Sequence, residues 1–434
     1  MEGVPYADQL TASGGVGPYT WSIHSGALPA GLTLTATGPQ TATIDGTPTA
    51  AGTSTPIVRV SDSSGMYLDI SNKWTVQPFV SGAVWAWGQG EYGSLGLFNG
   101  KPSRIADPTG ANVLDQVTAV ASNMAGGYAL RSDGTVWAWG QGSAGELGNG
   151  TTPLYNSTPV QVSGLTRITA VAGGYAAGYA LKSDGTIWAW GANPSGGLGD
   201  GTTVNRSTPV QVSGLSDVTA IAGGSGTGYA LKTDGTVWAW GENRYGELGD
   251  GTTVNRSTPV RVGALTDISA IAGGPGTGYA LKTDGTVWAW GLNKIGGLGN
   301  GTTTDSSTPV QVSGLTGIIG IAAGYGTGYA VSSDGTAWAW GSNSRGQLGN
   351  GTTANSSTPV QVSGLTGVTA VAGGEYVGYA LKSDGTVWAW GDGWYGTLGA
   401  GTTAVNTTPI RVPGLPTVTT LSASGLIAFA VGVS

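Results

Sequence analysis

The sequence predicts an all-β protein in which a small β-sandwich, residues 1–78, precedes a seven-bladed β-propeller, residues 79–434. Three observations carry that prediction. Trp-Ala-Trp-Gly occurs seven times, beginning at Trp85, Trp137, Trp188, Trp238, Trp288, Trp338 and Trp388, at intervals of 52, 51 and then 50 residues. A fixed period of this length marks blades or solenoid units. Each period holds four short strand-like segments, and four antiparallel strands make one propeller blade. Glycine supplies 81 of 434 residues, far above the usual ~7%, yet 39% of the chain is hydrophobic. Tight turns between short buried strands fit that balance, and disorder does not.

The bulk numbers narrow the partners. Charged residues are 9% of the chain and the net charge is −7. So few cations cannot neutralise many phosphates, so neither nucleic acid nor an anionic membrane surface is an expected partner. The absence of cysteine excludes disulfides, Cys-ligated zinc and thiol catalysis. No apolar run reaches the roughly 18 residues of a membrane-spanning helix, so no membrane insertion is expected. No basic–apolar–small leader precedes Val4, which leaves an intracellular protein or a mature or trimmed chain.

The first eighty residues lack the period. Candidate strands lie at residues 9–12, 19–23, 32–34, 41–44, 56–60 and 74–76, separated by turn formers such as Gly14-Gly15, Asp45-Gly46 and Asp62-Ser63-Ser64-Gly65. Short alternating strands at this spacing predict a small sandwich. The lone histidine, His24, reads as a surface or turn residue, since a metal site needs several convergent ligands. Asp8, Asp45, Asp62 and Asp69 could include a calcium pair, but spread singly among turns they read as turn residues.

One clean copy of the repeat runs from Ser207 to Gly241. Ser207 to Val212 begins with a proline-bearing strand, Val218 to Ala222 forms a second, and Gly228 to Lys232 a third. Asp234-Gly235 then turns the chain into Val237-Trp238-Ala239-Trp240-Gly241. Side chains alternate along a strand, so Trp238 and Trp240 share one face and the small residues take the other. The indoles are expected to enter the shallow face of a neighbouring blade, each contributing roughly 4–6 kcal/mol as an upper bound. The first tetrapeptide lacks the strands that normally precede it, and three strands follow the last, near residues 408–412, 418–421 and 427–431. The expected closing blade combines those three with Val84 to Trp87, removing both free edges.

Two family resemblances rest on motifs. Leu10-Thr11-Ala12-Ser13-Gly14-Gly15, Leu28-Pro29-Ala30-Gly31-Leu32 and Asp45-Gly46-Thr47-Pro48 resemble the Ig-like, cadherin-like modules of bacterial surface proteins over roughly residues 3–77. That resemblance implies an Ig-like sandwich, a spacer or adhesive role, and export. After each tetrapeptide comes Gly-x-Asn-x-x-Gly-x-Leu-Gly-x-Gly-Thr, as in Glu242 to Thr252 and Ser342 to Thr352. This resembles the regulator of chromosome condensation repeat over roughly residues 80–434, which implies a seven-bladed propeller and includes nucleotide-exchange factors for small GTPases. Three copies depart from the pattern, with Gly90, Gly142 and Gly393 at the asparagine position, and the third strand's approach lacks the histidine frequent in the family.

Chemistry is sparse. The array holds no histidine, so it has no Ser-His-Asp arrangement, and the recurring Asp133, Asp184, Asp234, Asp284, Asp334 and Asp384 are accounted for by Asp-Gly turns. Neither enzymatic activity nor a cofactor or metal is expected. Asn205, Asn255 and Asn355 begin Asn-x-Ser sequences that repeat with the unit and read as turn chemistry. Nearly identical copies differ mainly in two loops. One follows the tetrapeptide and carries Tyr92, Arg244, Tyr245, Lys294, Arg345, Trp394 and Tyr395; the other precedes the third strand and carries Tyr175, Tyr325, Glu375 and Tyr376. Tyr, Trp and Arg dominate interface hot spots, and loops on rigid scaffolds carry binding. The expectation is a non-enzymatic interaction scaffold, extracellular or on the cell surface, that binds a protein or glycan. Regulation of a small GTPase and a subunit of a surface fibre are the alternatives.

Overall fold

A computed structural model describes residues 6–46, 48–50, 52–71, 73–76, 82–90, 100–106 and 114–433. They form two compact units, Met1–Ser81 and Gly82–Ser434. Strands dominate, and the helix among the described residues is a single 3-10 turn at Trp394–Gly396.

In the first unit, Thr41–Gly46 pairs antiparallel with both Tyr6–Thr11 and Leu32–Ala36, and Ile57–Ser61 pairs likewise with Thr20–Ser25 and Tyr67–Ser71. Gly52–Ser54 pairs with Trp74–Val76. Leu32, Ile44 and Val58 are buried, with Leu10, Trp21, Ile23 and Trp74 packed against them, so both three-stranded sheets feed one core. His24 is an exposed strand residue. The Ser64 hydroxyl and the backbone N–H groups of Val16, Met66 and Ser64 donate to Asp62 and hold its carboxyl below the usual range. Asp69 forms a two-point pair with Arg59 at 2.7 Å, and Asp45 accepts from Thr33.

The second unit contains seven four-stranded antiparallel sheets among its described residues. Sheet 2 shows the rule: Ile168–Gly173, Ala177–Lys182, Ile187–Gly191 and Arg206–Gln211 pair in sequence order. Sheets 1, 3, 4, 5 and 6 repeat it, starting at Val117, Val218, Ile268, Ile318 and Val368. Sheet 7 joins Thr417–Ser424 and Ile427–Val433 to Ala83–Gly88 and Ser103–Arg104. The first strands of sheets 1 to 7 touch in succession, and that of sheet 7 touches that of sheet 1, so the sheets form a closed circuit.

Two sequence expectations need correction. The copy Ser207 to Gly241 straddles two sheets: Val210 pairs with Ala189 of the preceding Trp-Ala-Trp-Gly strand, not with the strand that follows. For the same reason the closing sheet takes two C-terminal strands and not three. Asn406–Arg411 belongs to sheet 6, where Ile410 pairs with Ala389, and Ser103–Arg104 completes sheet 7. The six-residue connector Val212 to Asp217 crosses from the outer edge of one sheet to the inner edge of the next. Four strands about 4.8 Å apart span roughly 14 Å, which that many extended residues cover easily.

The tetrapeptide and the glycine-rich signature prove to be two halves of one joint. Trp240 of sheet 3 is fully buried against sheet 2, edge-on to Tyr179 with centroids 6.1 Å apart. Its indole N–H donates to the Gly197 carbonyl at 2.9 Å, and the Tyr179 hydroxyl donates to the same oxygen at 2.7 Å. Leu198 packs beside the ring with Ile187 and Ala189, the shallow face of the preceding Trp-Ala-Trp-Gly strand. A Cβ on Gly199 would lie 2.9 Å from the indole. The Gly-x-Leu-Gly of one sheet is thus the seat of the next sheet's second tryptophan. Trp87 occupies the seat beside Tyr379 and Leu398, and Trp139 packs on Phe429, which carries the joint across both chain ends. The first tryptophan of each copy is only half-buried; Trp238 donates to the Thr236 hydroxyl at 3.2 Å.

Candidate functional site

An antiparallel meander places the first–second and third–fourth connections of a sheet at one end and the second–third hairpin at the other. The hairpin end is uniform. Asp184 accepts both the N–H and the hydroxyl of Thr186, while Gly185 takes the left-handed conformation at φ 78°. The five related aspartates do the same, and these bonds hold their carboxyls below the usual range. These carboxylates are occupied by turn bonds, as the sequence suggested.

The opposite end holds both variable loop families. In four copies the long loop after the tetrapeptide hangs on one asparagine, Asn193, Asn243, Asn293 or Asn343. Asn243 is fully buried and donates to the carbonyls of Thr252 and Val254 at 3.1 Å, while its side-chain oxygen accepts the Leu248 N–H at 2.9 Å. Its own N–H donates to the Asn255 side chain at 2.9 Å, and Asn205 and Asn355 serve Asn193 and Asn343 likewise. Those are the repeated Asn-x-Ser positions, so turn chemistry accounts for them. Glu247 folds back to accept the Tyr245 N–H at 2.7 Å; burial raises its carboxyl above the usual range, as it does for Glu146. Gln347 makes the same bond without a charge.

On this scaffold the two residues after the asparagine position are exposed or half-buried, and these hold the sequence candidates of this loop family. Arg244 lies 5.4 Å from the Tyr245 ring, and Lys294 is 3.4 Å from Asp305. Tyr175 and Tyr325 are half-exposed, on the first–second connections of sheets 2 and 5. Tyr92 lies outside the described residues. A continuous group forms on sheets 5 and 6. The neighbouring Glu375 carboxylate raises the pKa of the Tyr376 hydroxyl, and Tyr325 and Arg345 lie within electrostatic reach of it. Arg345 is 3.7 Å from Asp392, and Asp392 accepts the Trp394 N–H at 2.9 Å.

Sheet 6 departs from the common loop because Gly393 stands where the asparagine would be. Thr397 ties the loop instead, donating its hydroxyl to the carbonyls of Asp392 and Trp394. Tyr395 adopts φ 60°, a left-handed conformation that costs a non-glycine residue about 1–2 kcal/mol. Trp394 and Tyr395 stack with centroids 5.6 Å apart and planes 12° from parallel, and Trp394 is 60% exposed.

A cavity of about 620 Å³ opens among these loops. Val120, Val171, Ile221, Ile271 and Leu421, at one register of the first strands, line its depth, and Met124, Tyr175, Ser225, Pro275, Tyr325 and Glu375 surround its mouth. Sequence reasoning had marked Glu375 only as a variable position and had passed over Met124, Ser225 and Pro275. All four occupy the repeat position of Tyr175 and Tyr325, and that alignment was the available signal.

A model described as the RCC1-like domain matches residues 24–327, and the Regulator of chromosome condensation (RCC1) repeat matches residues 334–381 and 384–431. Among curated proteins, the chain is similar to the E3 ubiquitin-protein ligase HERC2 of Homo sapiens, 34% identical over 132 residues, which are 29% of this chain and 3% of that protein. It is also similar to the Ultraviolet-B receptor UVR8 of Arabidopsis thaliana, 33% identical over 124 residues, 28% of each. The chain thus spans only a minor part of these relatives' lengths. Among solved structures, yeast RCC1 (Prp20) in its complex with Kap60 superposes with a TM-score of 0.72 at 22% identity, covering 82% of this chain and 89% of that one. Human WBSCR16 gives 0.72 at 20% identity, covering 81% and 99%. The fold agrees with these solved structures, and the chain belongs to the RCC1-like domain family.

Proposed function

We propose that this chain is a non-enzymatic interaction scaffold: a seven-bladed propeller that binds a protein or glycan through its variable-loop face, preceded by an Ig-like spacer. The observation that carries the reading is the segregation of variation. Turns at one end of the sheets are nearly identical and fully occupied by their own hydrogen bonds, whereas the other end presents Tyr175, Arg244, Tyr325, Trp394 and Tyr395 outward from a shared scaffold. Seven sheets in one circuit of joints support the blade count, and two facing three-stranded sheets around one core support the spacer. A glycan array, with capture of surface proteins as its second arm, tests the scaffold. Signals lost in Trp394→Ala with Tyr395→Ala, at unchanged folding, support it; signals untouched by that pair remove those residues from the site.

Placement outside the cell belongs to the proposal because residues 3–77 resemble surface-protein modules; labelling of intact cells with an antibody tests it. The second reading is regulation of a small GTPase. It draws on the propeller of yeast Prp20p, whose solved structure was described with binding to Gsp1p and histones. Stimulated nucleotide release from a GTPase panel would favour it.

A further inference from the structure

We propose that the central cavity binds a linear alkylammonium group, the chemistry of a lysine side chain or a free diamine. The ammonium sits at the mouth among Glu375, Tyr175 and Tyr325, and the stem runs down against the aliphatic register below. The proposal rests on the loop face being the binding face and gives that face a second, chemically distinct site.

The volume, about 620 Å³, falls within the roughly 300–1,000 Å³ of small-ligand pockets. Its depth is lined by Val120, Val171, Ile221, Ile271 and Leu421, each still partly accessible, an apolar wall with room for methylene groups. Glycines bring the first strands together above that wall: a Cβ on Gly173 would lie 2.0 Å from the Ser122 carbonyl oxygen. Ser122 and Ser422 line the shaft but bond each other at 2.9 Å, so they offer a sugar little.

Among the described residues lining the cavity, Glu375 alone carries an ionisable carboxylate, and no Lys or Arg accompanies it. The nearby Arg345 is 3.7 Å from Asp392. A carboxylate at the mouth of a cleft with no cationic side chain in its lining concentrates cations and repels anions. Tyrosine rings favour an ammonium over a neutral head; Tyr325 stands on the sheet next to that of Glu375, and Tyr175 lines the same mouth from farther round the circuit.

Titration calorimetry on the full chain tests this with hexylammonium, pentane-1,5-diammonium, Nα-acetyl-lysine amide, hexan-1-ol and hexanoate. The expected result is saturable one-to-one binding of the ammonium probes. Glu375→Gln should weaken it about tenfold, as should Tyr175→Ala with Tyr325→Ala, and hexanol and hexanoate should bind at least tenfold more weakly. Binding by the lysine amide assigns the group to a peptide side chain, and binding by the diamine alone assigns it to a free amine. No saturable ammonium binding overturns the proposal. So does affinity unchanged by Glu375→Gln in a variant with the parent's melting temperature, or hexanol bound as tightly. The probes do not reach Trp394, so an empty cavity leaves the outer-loop reading standing. Ammonium binding retained in Trp394→Ala with Tyr395→Ala, alongside undiminished array signals, would count against the outer loops alone.

Discussion

The hairpin end and the loop end of the propeller are reached by the same strands, yet the chain uses them in opposite ways. At the hairpin end six copies read Ser or Thr, then Asp-Gly-Thr, and each aspartate is consumed by the threonine two residues on. Substitution there removes a turn, so the end stays uniform. At the loop end the fold depends on residues that face inward: Asn243 inside its loop, and Gly197, Leu198 and Gly199 around the incoming Trp240. Once those are fixed, the outward positions are structurally free. Rigidity and variability share one loop because they use opposite faces of it.

The comparison breaks most severely if the joints are not what holds the ring. Deleting residues 420–434 removes most of two strands of sheet 7, including Phe429 beneath Trp139. A sharp fall in melting temperature is expected, and an unchanged melt would contradict the closed circuit. Next in size, Trp240→Ala should cost about 3–5 kcal/mol in urea unfolding. Trp238→Ala, which removes a half-buried ring, should cost clearly less. Equal losses would erase the distinction between the two tryptophans of each copy.

Asn243→Ala leaves the carbonyls of Thr252 and Val254 and the Leu248 N–H without their partner, an expected loss of about 2–3 kcal/mol. Asp234→Ala at the exposed hairpin should lower the melting temperature by less. The smallest effect concerns charge. Burial raises the Glu247 carboxyl in the folded state, so the folded chain holds that proton more tightly than the unfolded one. The penalty is therefore present at neutral pH and is relieved as pH falls through the raised value. Glu247→Gln, which imitates Gln347, should melt higher than the parent at pH 7, and the gap should close in acid.

Much of the fold was legible in the sequence. The period, the strand alternation and the inter-blade direction of Trp240 all follow from residue spacing, because a strand's faces alternate strictly. The phase was not legible. A short connector with Gly214-Leu215 looks like a hairpin, and a long glycine-rich segment looks like a crossing between sheets. The reverse holds because Asn243 folds the long loop onto itself, bringing its two ends onto neighbouring strands. That bond links residues nine to eleven apart, beyond the reach of local pattern. Closure was visible in outline, but the share of each chain end was misjudged for the same reason. At the site, the variable positions were visible as differences between copies. The cavity was not, since it exists only where seven first strands converge.

The central claim is that inward residues of the loops build the ring and outward residues are free for binding. Its most direct test is the melting temperature of one combined variant in which Tyr175, Arg244, Lys294, Tyr325, Trp394 and Tyr395 are all changed to serine. Each is a surface change away from the joints, worth no more than about 0.5 kcal/mol in either direction, so the variant should unfold in a single transition close to the parent's. A fall as large as that of Trp240→Ala would contradict the account, because the outward side chains would then be part of what holds the fold.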